Sequence, residues 1–185
     1  RAPTDNDRKL KADWYAAHYD HAATNAYHTE YTVTASGVTL HTHVGIAAIC
    51  VQKFLDLDVT WTVANNGSVD LALHAQRNTV FPELPRFGLR LFLPQEMSQV
   101  NYYGMGPMEC YCDKHHAASH NSYTATVWQL HEDYIRPQEN GSHFDCDYVM
   151  LAGDAVRLTA VGTQPFSFNA SHYTQEELTR KAHNY

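Results

Sequence analysis

The chain has 185 residues, 44% of them hydrophobic and 12% aromatic, and a formal net charge of −7 with histidine neutral. That is enough apolar material for one folded domain with a sizeable core, and it excludes a disordered chain. The sign of the charge excludes a nucleic-acid partner, and no apolar run approaches the ~18 residues of a membrane helix, so no membrane partner is expected.

No charged-then-apolar leader precedes Arg1, and a first residue other than Met reads as a cut or processed end. The four cysteines, Cys50, Cys110, Cys112 and Cys146, read as free thiols of a cytoplasmic protein, because a chain this long needs no disulfide to fold. Thirteen histidines make the surface charge responsive to mildly acid pH, since His titrates near ~6.5.

Residues 1–8 read as a connector leading into the domain. Leu10, Trp14 and Ala17 then recur at helical spacing, which predicts a short amphipathic helix between Asp7 and Ala23. The period changes to two after that. Thr29–Ser36 and Val38–Ala48 read as a hairpin around Gly37, with His41 and His43 marking one face as polar. In the clearest strand Leu55, Leu57, Val59, Trp61 and Val63 point one way and Asp56, Asp58, Thr60 and Thr62 the other. Trp61 is expected in the core. Asn65-Asn66-Gly67 offers a turn, and Val69, Leu71, Leu73 and Ala75 resume the alternation.

Further strands are predicted at Phe87–Leu93, Val100–Tyr103, Thr124–Gln129, Tyr148–Leu151 and Ala155–Val161, the last two joined by a Gly153-Asp154 turn, with a short final strand at Phe166–Phe168. Thr174-Gln-Glu-Glu177 is a capping box that starts a helix near Gln175. Many short alternating strands between turns predict an all-β fold, an antiparallel sandwich over residues 1–185 as a single domain. Gly104 to Tyr123 lacks clear alternation and reads as a long, functional loop.

Glycoside hydrolysis needs two carboxylates, about 5 Å apart in retaining enzymes. Glu83, Glu96, Glu109, Asp113, Glu132, Asp133 and Glu139 are available, but none stands in a pattern that defines a pair, so no catalytic residue is assigned. Cys110-x-Cys112 with His115, His116 and His120 brings soft ligands together, yet the two-residue gap usual between zinc-binding cysteines is missing. A loop that carries Cys and His, with no metal, is the expectation. Tyr102, Tyr103, Tyr111, Trp128 and Tyr134 are core or a sugar-stacking platform. Arg136 and Glu139 are placed to pair across the turn of Arg136-Pro-Gln-Glu-Asn-Gly141.

Four phrases carry a resemblance: Arg1-Ala-Pro-Thr-Asp-Asn-Asp7, Gly104-Met-Gly-Pro-Met-Glu-Cys-Tyr-Cys-Asp-Lys114, Tyr134-Ile-Arg-Pro-Gln-Glu-Asn-Gly141 and Phe166-Ser-Phe-Asn-Ala-Ser-His-Tyr-Thr174. In this order and at these separations they resemble the small chain, or C-terminal sandwich domain, of the family-2 β-galactosidases. The resemblance implies a large sandwich similar to that of galactose mutarotases, interrupted here before its C-terminal strands. It implies a non-catalytic part of a hydrolase of lactose and related β-galactosides, whose acid and nucleophile are glutamates on a separate barrel. No cofactor is implied in this chain; magnesium and sodium would lie on the barrel. The expected partners are that barrel or large subunit, the β-galactoside, and further copies of the chain in a homo-oligomer.

The resemblance puts Gly104, Gly106, Pro107, Met108, Glu109, Tyr111 and Asp113 in a loop near the mouth of the sugar pocket. Glu109 is the residue expected to approach substrate or gate entry, with Gly104 and Gly106 as hinges. It puts Arg1, Asp5, Asn6, Asp7, Arg136, Glu139 and Asn140 at contacts with neighbouring domains. Cys110 and Lys114 depart from the family pattern, where Asn and Arg are usual. An independent carbohydrate-binding sandwich with Tyr102, Tyr103 and Tyr111 as its platform is the competing reading, and a mutarotase-like epimerase with a His acid and a Glu base is a third.

Overall fold

A computed structural model describes residues 3–184. They form two compact units, 3–88 and 89–184. The first holds a helix α1 (Lys11–Ala16) and four strands, β1 (Ala23–Thr34), β2 (Gly37–Ala47), β3 (Leu55–Ala64) and β4 (Val69–Arg77). The strands pair antiparallel in chain order, β1-β2-β3-β4. The alternation that marked β3 explains its burial: Leu55 and Leu57 join Val44 and Phe54 in the core of this unit, while Asp58 is exposed. At the β3–β4 turn Gly67 has φ of +88°, and the amide of Ser68 donates to Asn66 Oδ1 at 2.9 Å. A side chain rarely tolerates that backbone, which is why the turn carries glycine.

Two expectations in this unit are corrected. The helix is shorter than the Asp7–Ala23 window; after Ala16 the chain turns through a single 3-10 turn at Tyr19–His21. Trp14 Nε1 donates to the Glu83 carbonyl at 2.9 Å and Tyr19 Oη to the Pro82 carbonyl at 2.7 Å, so tertiary bonds hold this stretch. Trp61 is half-buried rather than core, because the buried cluster gathers at the Leu55 end of β3 and Val63, near the other end, is 41% exposed.

The second unit holds β5 (Gln99–Gly106), β6 (Ser119–Thr126), β7 (His143–Ala152), β8 (Arg157–Phe168) and a helix α2 (Gln175–Arg180). Its sheet is antiparallel in the order β6-β5-β7-β8. Val100, Tyr102, Val127, Leu130, Cys146 and Val149 form its core. Both sheets are antiparallel and the two helices are short, so the chain is all-β as its alternation predicts.

The predicted strand Thr124–Gln129 ends at Thr126. There the Gln129 side chain accepts from the Thr126 amide at 2.7 Å and Thr126 Oγ1 accepts from the Gln129 amide at 3.2 Å, which turns the chain and sends Val127 and Leu130 inward. Phe166 and Phe168 belong to the end of β8, not to a separate strand. No strand forms at Phe87–Leu93. The capping box is present: Thr174 Oγ1 accepts from the Glu177 amide at 3.2 Å, the Thr174 amide donates to Glu177 Oε2 at 2.7 Å, and Leu178 is buried behind them.

Candidate functional site

Residues 107–118 join β5 to β6 and carry most of the second of the four phrases, whose first three residues end β5. The Gly106–Pro107 peptide bond is cis. The loop is fastened at its base by sulfur and backbone: the Cys110 amide donates to the Ser142 carbonyl at 2.7 Å, the Cys110 thiol to the Met105 carbonyl at 3.3 Å, and the Phe144 amide to Cys110 Sγ at 3.3 Å. A reciprocal backbone pair at 3.0 Å between Tyr111 and Lys114 closes its tip.

Glu109 holds the loop to a second segment. Its side chain is 7% exposed. Its carboxylate accepts from Tyr134 Oη, from Tyr111 Oη at 3.3 Å, from Lys114 Nζ at 3.1 Å and from the Gly141 amide at 3.0 Å. Burial pushes the Glu109 pKa up, but the bonds from Tyr134, Gly141 and Lys114 overcome it and hold the carboxyl below its ordinary value. Burial, with the Glu109 charge beside them, raises the pKa of Tyr111 and of Tyr134, so both phenols stay protonated donors at neutral pH. Four donors on one anion offset its desolvation, which a lone buried carboxylate could not do.

Two of the quoted phrases therefore meet: Tyr134 and Gly141 bracket the Tyr134–Gly141 phrase, and both bind Glu109 of the Gly104–Lys114 phrase. Asn140, 6% exposed, stiffens the second segment. Its Oδ1 accepts from the Glu132 amide at 3.0 Å, and its Nδ2 donates to the Gln138 carbonyl at 3.0 Å.

Gly104 and Gly106 stand where the backbone is closely packed. Neither has a positive φ. A Cβ on Gly104 would strike the Cys146 side chain and sit 2.8 Å from its Cα; one on Gly106 would strike Tyr102 Oη and sit 3.0 Å from the Tyr123 ring. Met108 is 51% exposed, and Pro107, Cys112 and Asp113 are exposed beside it.

Beneath the loop, His143 is 1% exposed, with Nδ1 3.1 Å from the Tyr102 hydroxyl and 3.3 Å from the Met105 carbonyl. Burial lowers its pKa, so the ring is neutral at neutral pH, and its buried Nε2 has no partner among the described residues. Sequence reasoning passed over His143, since nothing in its local pattern sets it apart from the other histidines.

Of the expected domain contacts, Arg1 lies outside the described residues. Asp5 stands in a 3-10 turn with Asn6 and Asp7, and Asn6 is exposed. The Asp7 carboxylate accepts from the Thr4 amide at 2.7 Å. Arg136 is exposed and Glu139 half-buried. Tyr102 is fully buried against Tyr123, His143 and Phe168, so the stacking platform expected of Tyr102, Tyr103 and Tyr111 does not form.

All four cysteines are free thiols. Burial raises the Cys110 pKa and pushes that of Cys146 up to about 12. Both thiols are therefore protonated at neutral pH. Among the described residues no group of three or more His, Cys, Asp or Glu side chains is arranged to hold a metal ion. No helix among them is long and apolar enough to cross a membrane.

These features define an all-β domain in which the buried Glu109 carboxylate braces a surface loop. Residues 1–185 match the family model described as the β-galactosidase small chain, and the chain belongs to that family. It is similar to the β-galactosidase of Actinobacillus pleuropneumoniae, with 43% identity over 185 residues, covering 100% of this chain and 18% of that protein. The β-galactosidase of Staphylococcus xylosus is 36% identical over 183 residues, 99% of this chain and 18% of its own length. That of Pseudoalteromonas haloplanktis is 29% identical over 202 aligned positions, again 99% and 18%. The chain thus spans about a fifth of the length of these curated relatives.

Proposed function

We propose that this domain completes the mouth of the sugar site of a retaining β-galactosidase and steadies its assembly, while hydrolysis itself is done elsewhere. The reading rests on the Glu109 network, which locks residues 107–114 against residues 134–141 and leaves Met108 and Asp113 facing outward. A loop held this firmly presents side chains to a neighbouring surface with little entropy left to lose.

Glu109 is the brace of the loop, since its carboxylate is occupied by four donors. Contact with the β-galactoside, or with the wall of its pocket, falls to Met108 and Asp113. Arg136 and Glu139 border the same braced segment and face the catalytic barrel. The acid and nucleophile glutamates, and the magnesium and sodium sites that the family resemblance implies, belong to that barrel. The assembly is cytoplasmic and contains more than one copy of the chain.

The test is hydrolysis of a chromogenic β-galactoside by this chain alone and mixed with the barrel-bearing polypeptide. Activity in the mixture only is the expected result. Turnover by the chain alone, or no gain on mixing, would overturn the proposal.

A further inference from the structure

Phe87, Leu89, Leu91 and Leu93 recur at every second position, the period of a strand, yet no strand forms there. Within the unit 89–184, Leu89 is 59% exposed, Leu91 57%, Phe92 78% and Leu93 37%. Apolar side chains scattered singly over a surface are ordinary, but a contiguous run of them marks an interface. The backbone is open as well: among the described residues, none makes a backbone–backbone hydrogen bond with residues 89–93. The segment has the alternation of a strand, and among the described residues nothing pairs with its backbone.

It is nevertheless held in place. Arg90 forks onto the Glu176 carboxylate with two bonds of 3.0 Å, and Glu176 lies in the first turn of α2. Planar two-point pairing of this kind fixes orientation as well as distance. The anchor fixes the charged side chain of the segment and leaves its apolar side chains and its amides available.

The geometry points to residues 89–93 as a docking strand: in the assembled β-galactosidase they add to a sheet edge supplied by the remainder of that protein. Backbone hydrogen bonds and the alternate leucines would carry such β-augmentation. The occupant follows from coverage: the chain spans only 18% of the length of its β-galactosidase relatives, and in the proposed assembly the rest of that length is supplied beside it. The inference rests on the reading that the domain works inside a larger β-galactosidase.

Hydrogen exchange read by mass spectrometry tests it, on the chain alone and on the assembled enzyme. The amides of residues 89–93 are expected to exchange at least about tenfold more slowly in the assembly. Equal rates in both would overturn the inference. Protection that rises with the concentration of the chain alone would place a second copy there and overturn it too. Leu91→Pro removes one amide outside both sheets and is expected to weaken assembly about tenfold or more with the circular dichroism of the isolated chain unchanged; unchanged assembly would count against the strand. Activity gained on mixing without protection at 89–93 would sink this inference alone. Protection without a gain in activity would sink the proposed function alone.

Discussion

The backbone amide of Gly141 donates to the Glu109 carboxylate at 3.0 Å across 32 positions of sequence. That bond joins two loops that share no strand pairing with each other. It also makes one side chain the common anchor of two segments.

Replacing Glu109 tests that anchor. Glu109→Gln keeps the shape but removes the charge that four donors address. The expected loss is about 2 kcal/mol, from a buried carboxylate network with one member changed. Lys114→Ala should cost only about 0.5 kcal/mol, because Lys114 is 66% exposed and screened by water. Urea midpoints of the two variants decide the matter; equal losses would mean that the salt bridge, and not the buried bonds, does the holding.

Gly104→Ala should be costlier than a helix or strand propensity suggests. The new methyl meets the Cys146 side chain and its Cα at 2.8 Å inside a packed sheet. A loss of about 1–3 kcal/mol is expected from overpacking. Thermal unfolding of Gly104→Ala beside the double variant with Cys146→Ala checks the cause, since the smaller partner should restore part of the loss.

Acid should weaken the domain in two steps. His143 is held neutral by burial, so its folded pKa lies below the ordinary 6.5. The unfolded chain then binds the proton more readily, and stability falls as pH drops below about 6.5. His143→Gln should lose less than the native chain between pH 7 and pH 5. Identical pH slopes in denaturant titrations would show that His143 is not responsible.

The second step belongs to carboxylates. The hydrogen bond from Arg90 holds Glu176 down at about 2 against an ordinary value of 4.5. A carboxylate with a depressed folded pKa stabilises fully above its unfolded value, and that contribution is lost as pH falls toward the folded one. Glu109, lowered as well, acts in the same direction. Glu176→Gln should flatten the decline between about pH 4.5 and pH 2. The effect at neutral pH stays under about 1 kcal/mol, since Glu176 is 51% exposed.

The exposed loop tip should matter to catalysis and not to folding. Met108 is 51% exposed, so Met108→Asp is expected to leave the urea midpoint within about 0.5 kcal/mol. In the assembled enzyme the same change should lower kcat/KM about tenfold, or about 1.4 kcal/mol of transition-state stabilisation. Full activity in this variant would remove Met108 from the sugar site.

Local pattern was enough for much of this protein. The two-residue period of Leu55–Val63 marked a strand and the buried face at its Leu55 end, while Asn65-Asn66-Gly67 set a turn and Thr174 with Glu177 set a helix start, because the turn and the cap depend on bonds made within a few residues. The family phrases were equally legible as phrases. Their meeting was not, since the chain does not record that Tyr134 and Gly141 return to Glu109 until β5 and β7 pair. Nor could sequence say that Gly104 and Gly106 answer to Cys146 and Tyr102, or which histidine lies buried. The 87–93 segment shows the same division from the other side: its alternation is written in the sequence, and a strand needs a partner that only tertiary or quaternary structure supplies.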